Sequence, residues 1–380
     1  MATPAFQAPI LNKIVNLIQN EGPLSFHDYM QIALYDEAFG YYSGNLQHFK
    51  SPVGKSGDFI TSVSVGPCFG IILAHRIHQY WIDSGRSQVF NIIEPGAHDG
   101  TLCQDILSEI KTLSTELYQA TQYHLVERSC SLREMQAGKL SAHTDRYQNH
   151  QNLDSLQALH GVIISNELID AFPVELIQLN NGVWQQLFVH HSDGELQMSP
   201  AEITRPELKV FCQSLGYGFP DGYTTEFNPS IEPFIKNIAA TLTSGLLITI
   251  DYGFTHDELY DPARSSGTLQ TYSQHTKADN PLEKPGLQDI TSHIDFSRVI
   301  SAAESHNFEL CSYKPQSSYL TTHARAWLLA QESAPTEKTS SLFKQFQTLT
   351  HPAMLGNKFM VLEMEKAIKE SIDTPLLSSF

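Results

Sequence analysis

Carboxylates that close predicted strands carry most of the chemistry this sequence offers. Glu94 ends the apolar run Val89-Phe90-Asn91-Ile92-Ile93, and the turn Pro95-Gly96-Ala97-His98-Asp99-Gly100 follows it. Thr101, Leu102, Ile106, Leu107 and Ile110 then recur at helical spacing, so the turn joins the carboxyl end of a buried strand to a helix start. Ligands of open α/β sheets bind at such ends, where the first helical N–H groups are free. A second apolar run, Tyr123-His124-Leu125-Val126, closes with Glu127-Arg128, and a third closes with Ser165-Asn166-Glu167, with Asp170 three positions on.

What the first turn lacks narrows the ligand. A dinucleotide site needs G-x-G-x-x-G, so that backbone can approach a pyrophosphate, and an acid about 20 residues on for the ribose. Only Gly96 and Gly100 are present, and Glu127 lies too far along for that ribose acid. Glu94 suits an ammonium group better than a phosphate, whereas Glu127 could take both hydroxyls of a ribose. Acids closing two successive strands, with a small-residue turn after the first, are the layout expected for S-adenosylmethionine (SAM). An ordinary βαβ crossover with surface acids is the alternative reading of this fragment.

The elements that position these residues follow from periodicity. The runs 89–94, 123–127, 162–165 and 246–251 read as strands of one α/β sheet, separated by helical or irregular stretches. Asn180-Asn181-Gly182 marks a hairpin between the runs 175–179 and 183–189. Upstream, Ile10, Leu11, Ile14, Leu17 and Ile18 form an apolar stripe, and Ser25-Phe26-His27-Asp28 resembles a capping box before a second helix. The stretch 192–240 reads as mostly helical or irregular.

Composition excludes several classes. A net charge of −17 gives no basic footprint for nucleic acid, and an acidic field favours cationic partners, including basic protein segments. No apolar run approaches the roughly 20 residues a membrane span needs. The N-terminus has one lysine, no arginine and no long apolar region, and the five cysteines form no C-x-x-C pair; reduced thiols in a cytoplasm are the expectation. No H-E-x-x-H or G-x-S-x-G occurs, so neither a metal site nor a hydrolase nucleophile elbow is expected.

Beyond these patterns, the chain resembles the MidA-type SAM-dependent methyltransferase family, which includes a mitochondrial complex I assembly factor that methylates an arginine. The matching pieces run in order: Gly22-Pro23-Leu24-Ser25-Phe26, Gly40-Tyr41-Tyr42, Gly57-Asp58-Phe59-Ile60-Thr61-Ser62, the stretch from Glu94 to Leu102, His124 to Glu127, Asn166 to Pro173, Asp251-Tyr252-Gly253, Gly267-Thr268-Leu269 and His293 to Phe296. The resemblance implies a class I, Rossmann-like seven-stranded sheet with an N-terminal helical cap and an inserted substrate lobe. It divides the chain into a cap and cofactor-covering loop over 1–85 and a methyltransferase core over 86–380, with 192–240 as the lobe. On this view Gly57, Asp58, Phe59, Thr61 and Ser62 close over the cofactor from the N-terminal side. Glu94, Pro95, Gly96, Ala97, Gly100, Thr101, Glu127, Arg128, Asn166 and Glu167 hold it.

Methyl transfer from a sulfonium needs alignment more than a dedicated nucleophile. Were the acceptor an arginine, its planar cationic guanidinium would call for carboxylates, and Glu167 and Asp170 are the candidates. Tyr252 is a candidate for the acceptor wall, and His293 with Asp295 for either an acid–base or a structural pair. The partner expected is a protein substrate, with no nucleic acid and no membrane, and a homodimer left open. One departure stands out: many members of the family it resembles, including the arginine-methylating one, carry glycine where this chain has His98, and a basic residue at Asp99. Either the backbone there approaches the ligand less closely or the histidine turns outward. Two other classes remain: a nicotinamide oxidoreductase on a related sheet, and an assembly factor that keeps the fold and binds a client without transferring methyl groups.

Overall fold

A strand as apolar as Phe90-Asn91-Ile92-Ile93 needs neighbours on both edges and helices on both faces. The computed structural model, which describes residues 8–42, 61–273, 276–278 and 280–367, supplies both. Among the described residues the main sheet has seven strands: β1 (Phe90–Pro95), β2 (Thr121–Val126), β3 (Tyr147–His150), β4 (Leu159–Asn166), β5 (Leu242–Asp251), β6 (Glu309–Pro315) and β7 (Met360–Lys366). Their order is β6-β7-β5-β4-β1-β2-β3. The first five run parallel, and β7 enters antiparallel between β5 and β6. The direction of winding reverses between β1 and β4, which is where a doubly wound sheet opens its ligand crevice.

Alternate side chains of each strand feed opposite cores. On one face, Ile92, Val162 and Ile248 pack with Phe69, Ile72 and Trp81 of the helix Cys68–Asp83 and Ile106 of the helix Thr101–Leu113. On the other, Ile93, Ile163 and Leu247 meet Ile235 and Ile238 of the helix Ile231–Thr241 and Val299 of the helix Phe296–Glu304. Each such aliphatic side chain contributes roughly 1.5–3 kcal/mol by leaving water. The strand ends are thereby held rigidly, which a site built on them requires. Among the described residues no helix is long and apolar enough to cross a membrane.

A second sheet leans over the carboxyl ends of the first. The hairpin strands Glu175–Asn180 and Val183–Ser192 meet at Asn181 and Gly182, whose φ of 51° and 77° are those of the mirror-image turn that Asn-Gly favours. Leu24–Ser25 pairs with this hairpin, Leu24 opposite Val189, so the N-terminal segment and the insertion form one layer. Ile14, Phe26, Tyr29 and Met30 of the first two helices bury against Val174, Leu176 and Val189. Ser25 caps the second helix, its hydroxyl accepting the Asp28 amide at 3.1 Å.

The stretch 192–240 differs from the expectation of helix and irregular chain. Glu195–Ala201 and Thr224–Phe227 are strands of the second sheet, whereas Ile231–Thr241 covers the main one. Only Leu196 of the first of these strands is buried, so an edge strand with almost no apolar face passed for a loop. Likewise the helix Cys68–Asp83, expected in the cap, packs on the main sheet, because its apolar residues are too many for a surface stripe.

Candidate active site

At the winding switch the strand ends open into a cavity of about 1000 Å³. That is the upper end of the range for small-molecule pockets, with room for a nucleoside-sized ligand and a side chain beside it. Its floor is made by the ends of β1, β2 and β4 and by Tyr252, and its far wall by Tyr35, Tyr42 and the segment 289–293.

Glu94 is 5% exposed and accepts the Tyr123 hydroxyl at 2.7 Å. Burial pushes its carboxyl up to about 8, against the pull of that hydrogen bond. The chain then turns at Gly96, φ 71°, where a Cβ would stand 2.8 Å from Leu168 Cδ1; a side chain here would collide with the neighbouring strand's turn. Pro95, Ala97 and Thr101 line the cavity, while Gly100 does not; its φ of 79° starts the helix. Asp99 accepts the Thr101 amide at 3.1 Å and its hydroxyl at 2.7 Å, and pairs with Lys139. Although burial opposes it, the hydrogen bonds from His98, Lys139 and Thr101 hold Asp99 well below the usual carboxylate range. An acid at this position therefore brings its own cation.

Glu127 stands across the turn. Its carboxylate accepts the amides of His98 at 3.1 Å and Ser129 at 2.9 Å, and burial raises its pKa. The carboxylate also lines the cavity, where it can accept from a ligand hydroxyl. Arg128 lines the same wall, its guanidinium 6.0 Å from the centre of the Tyr35 ring. Gln151, Asn152, Leu153 and Asp154 extend it beyond β3 and carried no sequence signal. His98 has φ 45°, and its side chain lines the cavity instead of turning fully outward, with Nε2 buried and unpartnered among the described residues.

A different chemistry occupies the end of β4. Glu167 has φ 47°, a conformation that costs a non-glycine residue on the order of 1–3 kcal/mol. Its carboxylate accepts the Ser62 amide at 3.2 Å and the Asn166 amide group at 3.4 Å, and burial with the nearby Asp251 charge pushes it up to about 8. Asn166 lines the cavity, and its Oδ1 is buried without a partner among the described residues. Asp170 is 6% exposed; burial, then Asp251, Glu167 and Asp289, drive its carboxyl far up. Neither Glu167 nor Asp170 joins an ion pair among the described residues.

The aromatic wall comes from distant segments. Tyr35 and Tyr42 stack with centroids 5.5 Å apart, and their hydroxyls donate to Ala171 O at 2.9 Å and to Asp289 at 2.8 Å. Tyr252 packs on Phe359 at 4.3 Å and lies parallel to His293 at 6.0 Å. His293 does not pair with Asp295. Asp295 accepts from the Arg298 amide at 3.1 Å and bonds the His256 ring at 2.8 Å, because it caps the helix Phe296–Glu304 on the far side of the backbone. Burial lowers His293 to about 4, so it is neutral.

Thr61 lines the cavity, whereas Ser62 is fully buried behind Glu167, its hydroxyl donating to Gln316 at 2.8 Å. Gly57, Asp58 and Phe59 lie outside the described residues. Of the features that sequence reasoning missed, Tyr35 closes a capped helix and Asp289 opens the short strand Asp289–Thr291, both weak signals.

The donors and acceptors match a ligand with an ammonium at one end and a ribose at the other: Glu94 for the first, Glu127 for the second. A family model for S-adenosyl-L-methionine-dependent methyltransferases matches residues 72–313. The human mitochondrial protein arginine methyltransferase NDUFAF7 is 27% identical over 395 aligned residues, which cover 92% of this chain and 82% of that protein. The Drosophila melanogaster homologue is 26% identical over 380 residues, covering 91% and 82%. A crystal structure of a Burkholderia thailandensis protein bound to S-adenosyl-homocysteine superimposes with a TM-score of 0.86 at 27% identity, over 97% of this chain and 96% of that one.

Proposed function

We propose that this chain, which belongs to the S-adenosyl-L-methionine-dependent methyltransferase family, methylates a side-chain nitrogen of a protein, with arginine the favoured acceptor. Its cofactor is SAM. The observation that carries the acceptor reading is a pair of buried carboxylates, Glu167 and Asp170, which face a cavity without an ion-pair partner among the described residues. Burying acids in this way is costly unless a cation arrives to offset it. A guanidinium is such a cation; planar and always charged, it can bond two carboxylates at once. The arginine methyltransferase names of the human and fly relatives point the same way.

In this reading the cofactor side is held by Glu94 at the ammonium, Glu127 at the ribose hydroxyls, and the backbone of Pro95, Gly96, Ala97 and Thr101, with Gly100 shaping the turn. Arg128, Asn166 and Thr61 complete that wall, and Ser62 supports Glu167 from behind. When bound, the sulfonium supplies a methyl group already activated for transfer. Glu167 and Asp170 hold the acceptor so that one nitrogen faces that methyl, and one of them accepts the proton this nitrogen gives up. Tyr35, Tyr42 and Tyr252 exclude water around the reacting atoms.

Incubating the purified protein and isotopically labelled SAM with a cell extract, then locating the label by mass spectrometry, tests this. Label on protein arginine is the expected result. Label on RNA or a small molecule would overturn the acceptor, and SAM binding with no label on any acceptor would favour a client-binding role.

A further inference from the structure

Asp251 is the last residue of β5, fully buried, and does not line the cavity. One of its oxygens accepts three successive amides, Leu168 at 3.3 Å, Ile169 at 2.9 Å and Asp170 at 3.3 Å, and the other accepts Tyr252 at 2.8 Å. The register explains the meeting. Ile250 is paired with Asn166 and its carbonyl accepts the Glu167 amide at 2.8 Å, so the next side chain on β5 comes up beneath the turn that leaves β4. That turn carries Glu167 at a positive φ and Asp170 on its short helix, and it must be held from outside to stay so.

We propose that Asp251 is a positioning residue for methyl transfer: by gathering the amides of 168–170 and of Tyr252 on one carboxylate, it fixes the turn that presents Glu167 and Asp170 to the acceptor. This rests on the acceptor reading of those two acids. Burial pushes the Asp251 carboxyl itself up to about 7; once ionised it is a like charge beside them that raises both, as Asp289 also does for Asp170. Geometry and charge are therefore separable by substitution. Asn cannot replace Asp here without loss, because one of its two terminal atoms is a donor facing amide donors. Glu keeps the charge and moves it one methylene away.

Steady-state kinetics against pH, with SAM binding by calorimetry, would be measured on Asp251→Asn, Asp251→Glu and, as a packing control, Thr249→Val. The control removes a buried hydroxyl that has no partner among the described residues. Both Asp251 variants should lose about tenfold or more in kcat for the acceptor while SAM affinity changes less than about threefold, the pattern of a contact felt mainly in the transition state. In Asp251→Asn alone the acid limb of the rate profile should move to lower pH, since a removed negative charge lets its neighbours ionise earlier. Folded variants with wild-type kcat and an unmoved acid limb would overturn the proposal, as would failure of both to fold, which would make Asp251 a stability residue only. A wild-type rate in Glu167→Gln would instead sink the acceptor reading on which the proposal stands.

Discussion

The two halves of the cavity solve opposite problems. Around the β1 and β2 ends, the open acid Glu127 is fed by the backbone amides of His98 and Ser129, and Asp99 by Thr101 and Lys139, within a stretch of about 50 residues. At the end of β4, Glu167 and Asp170 sit among segments 60, 170, 250 and 290 along the chain, crowded by other acids. Glu94 aside, whose carboxyl burial pushes up to about 8, the acids of the first half already have amides and a lysine in place before any ligand arrives. The second holds carboxylates in a state they tolerate only when neutral or paired, so its electrostatics ask for a cation.

Glu167→Gln, which keeps volume and removes charge, should separate the two halves most strongly. Turnover should fall by about 10²–10⁴-fold, the range of a group that moves a proton and holds the reacting nitrogen, with SAM affinity nearly unchanged. Single-turnover transfer and calorimetry on the same protein separate the two effects; a parallel loss in SAM binding would place Glu167 in the cofactor half. Glu127→Ala is the mirror experiment. Losing hydrogen bonds to a charged group costs about 1.5–3 kcal/mol, hence at least about tenfold in SAM affinity, while kcat at saturation should hold.

A pH-dependent effect concerns Glu94. With its carboxyl near 8 in the free protein, it is largely protonated at neutral pH, whereas an ammonium needs it ionised. Binding must then expel a proton, so SAM affinity should rise between pH 6 and 8 by up to about tenfold per unit and level off above. Glu94→Gln should bind more weakly at pH 8 and lose that slope. Proton release of zero in buffers of different ionisation enthalpy would show that Glu94 is already charged.

What was legible in the sequence follows the same division. The turn 94–102 and Glu127 could be found because strand, glycine turn and helix are adjacent and each has its own period. β3 and β7 were missed for local reasons: Tyr147-Gln148-Asn149-His150 is a polar edge strand, and Met360–Lys366 mixes a short apolar run with charged residues far from any motif. Asp289 and Asp251 became functional only through tertiary contacts across more than 80 positions, which no local pattern encodes. His293 and Asp295 illustrate the reverse error. Spacing alone suggested a pair, but the intervening strand Ile294–Asp295 and the helix cap send the two side chains to different partners.

The smallest expected effect sits on the one non-glycine residue of the 94–102 turn that holds a positive φ. His98 holds φ 45° in the preorganised half, offers its amide to Glu127 and its carbonyl to Gln136, and leaves a buried ring nitrogen unpartnered among the described residues. Glycine adopts that φ without strain but is freer in the unfolded chain, and these terms nearly cancel. His98→Gly should therefore change stability by no more than about 1 kcal/mol, with the gain of relieving the ring's lost hydrogen bond on the positive side. Both backbone hydrogen bonds survive the change, so the Glu127 carboxylate stays in place and SAM affinity should move less than about threefold. Thermal unfolding with and without SAM measures both quantities. A large loss of SAM affinity would mean that the imidazole itself touches the cofactor and helps to hold it.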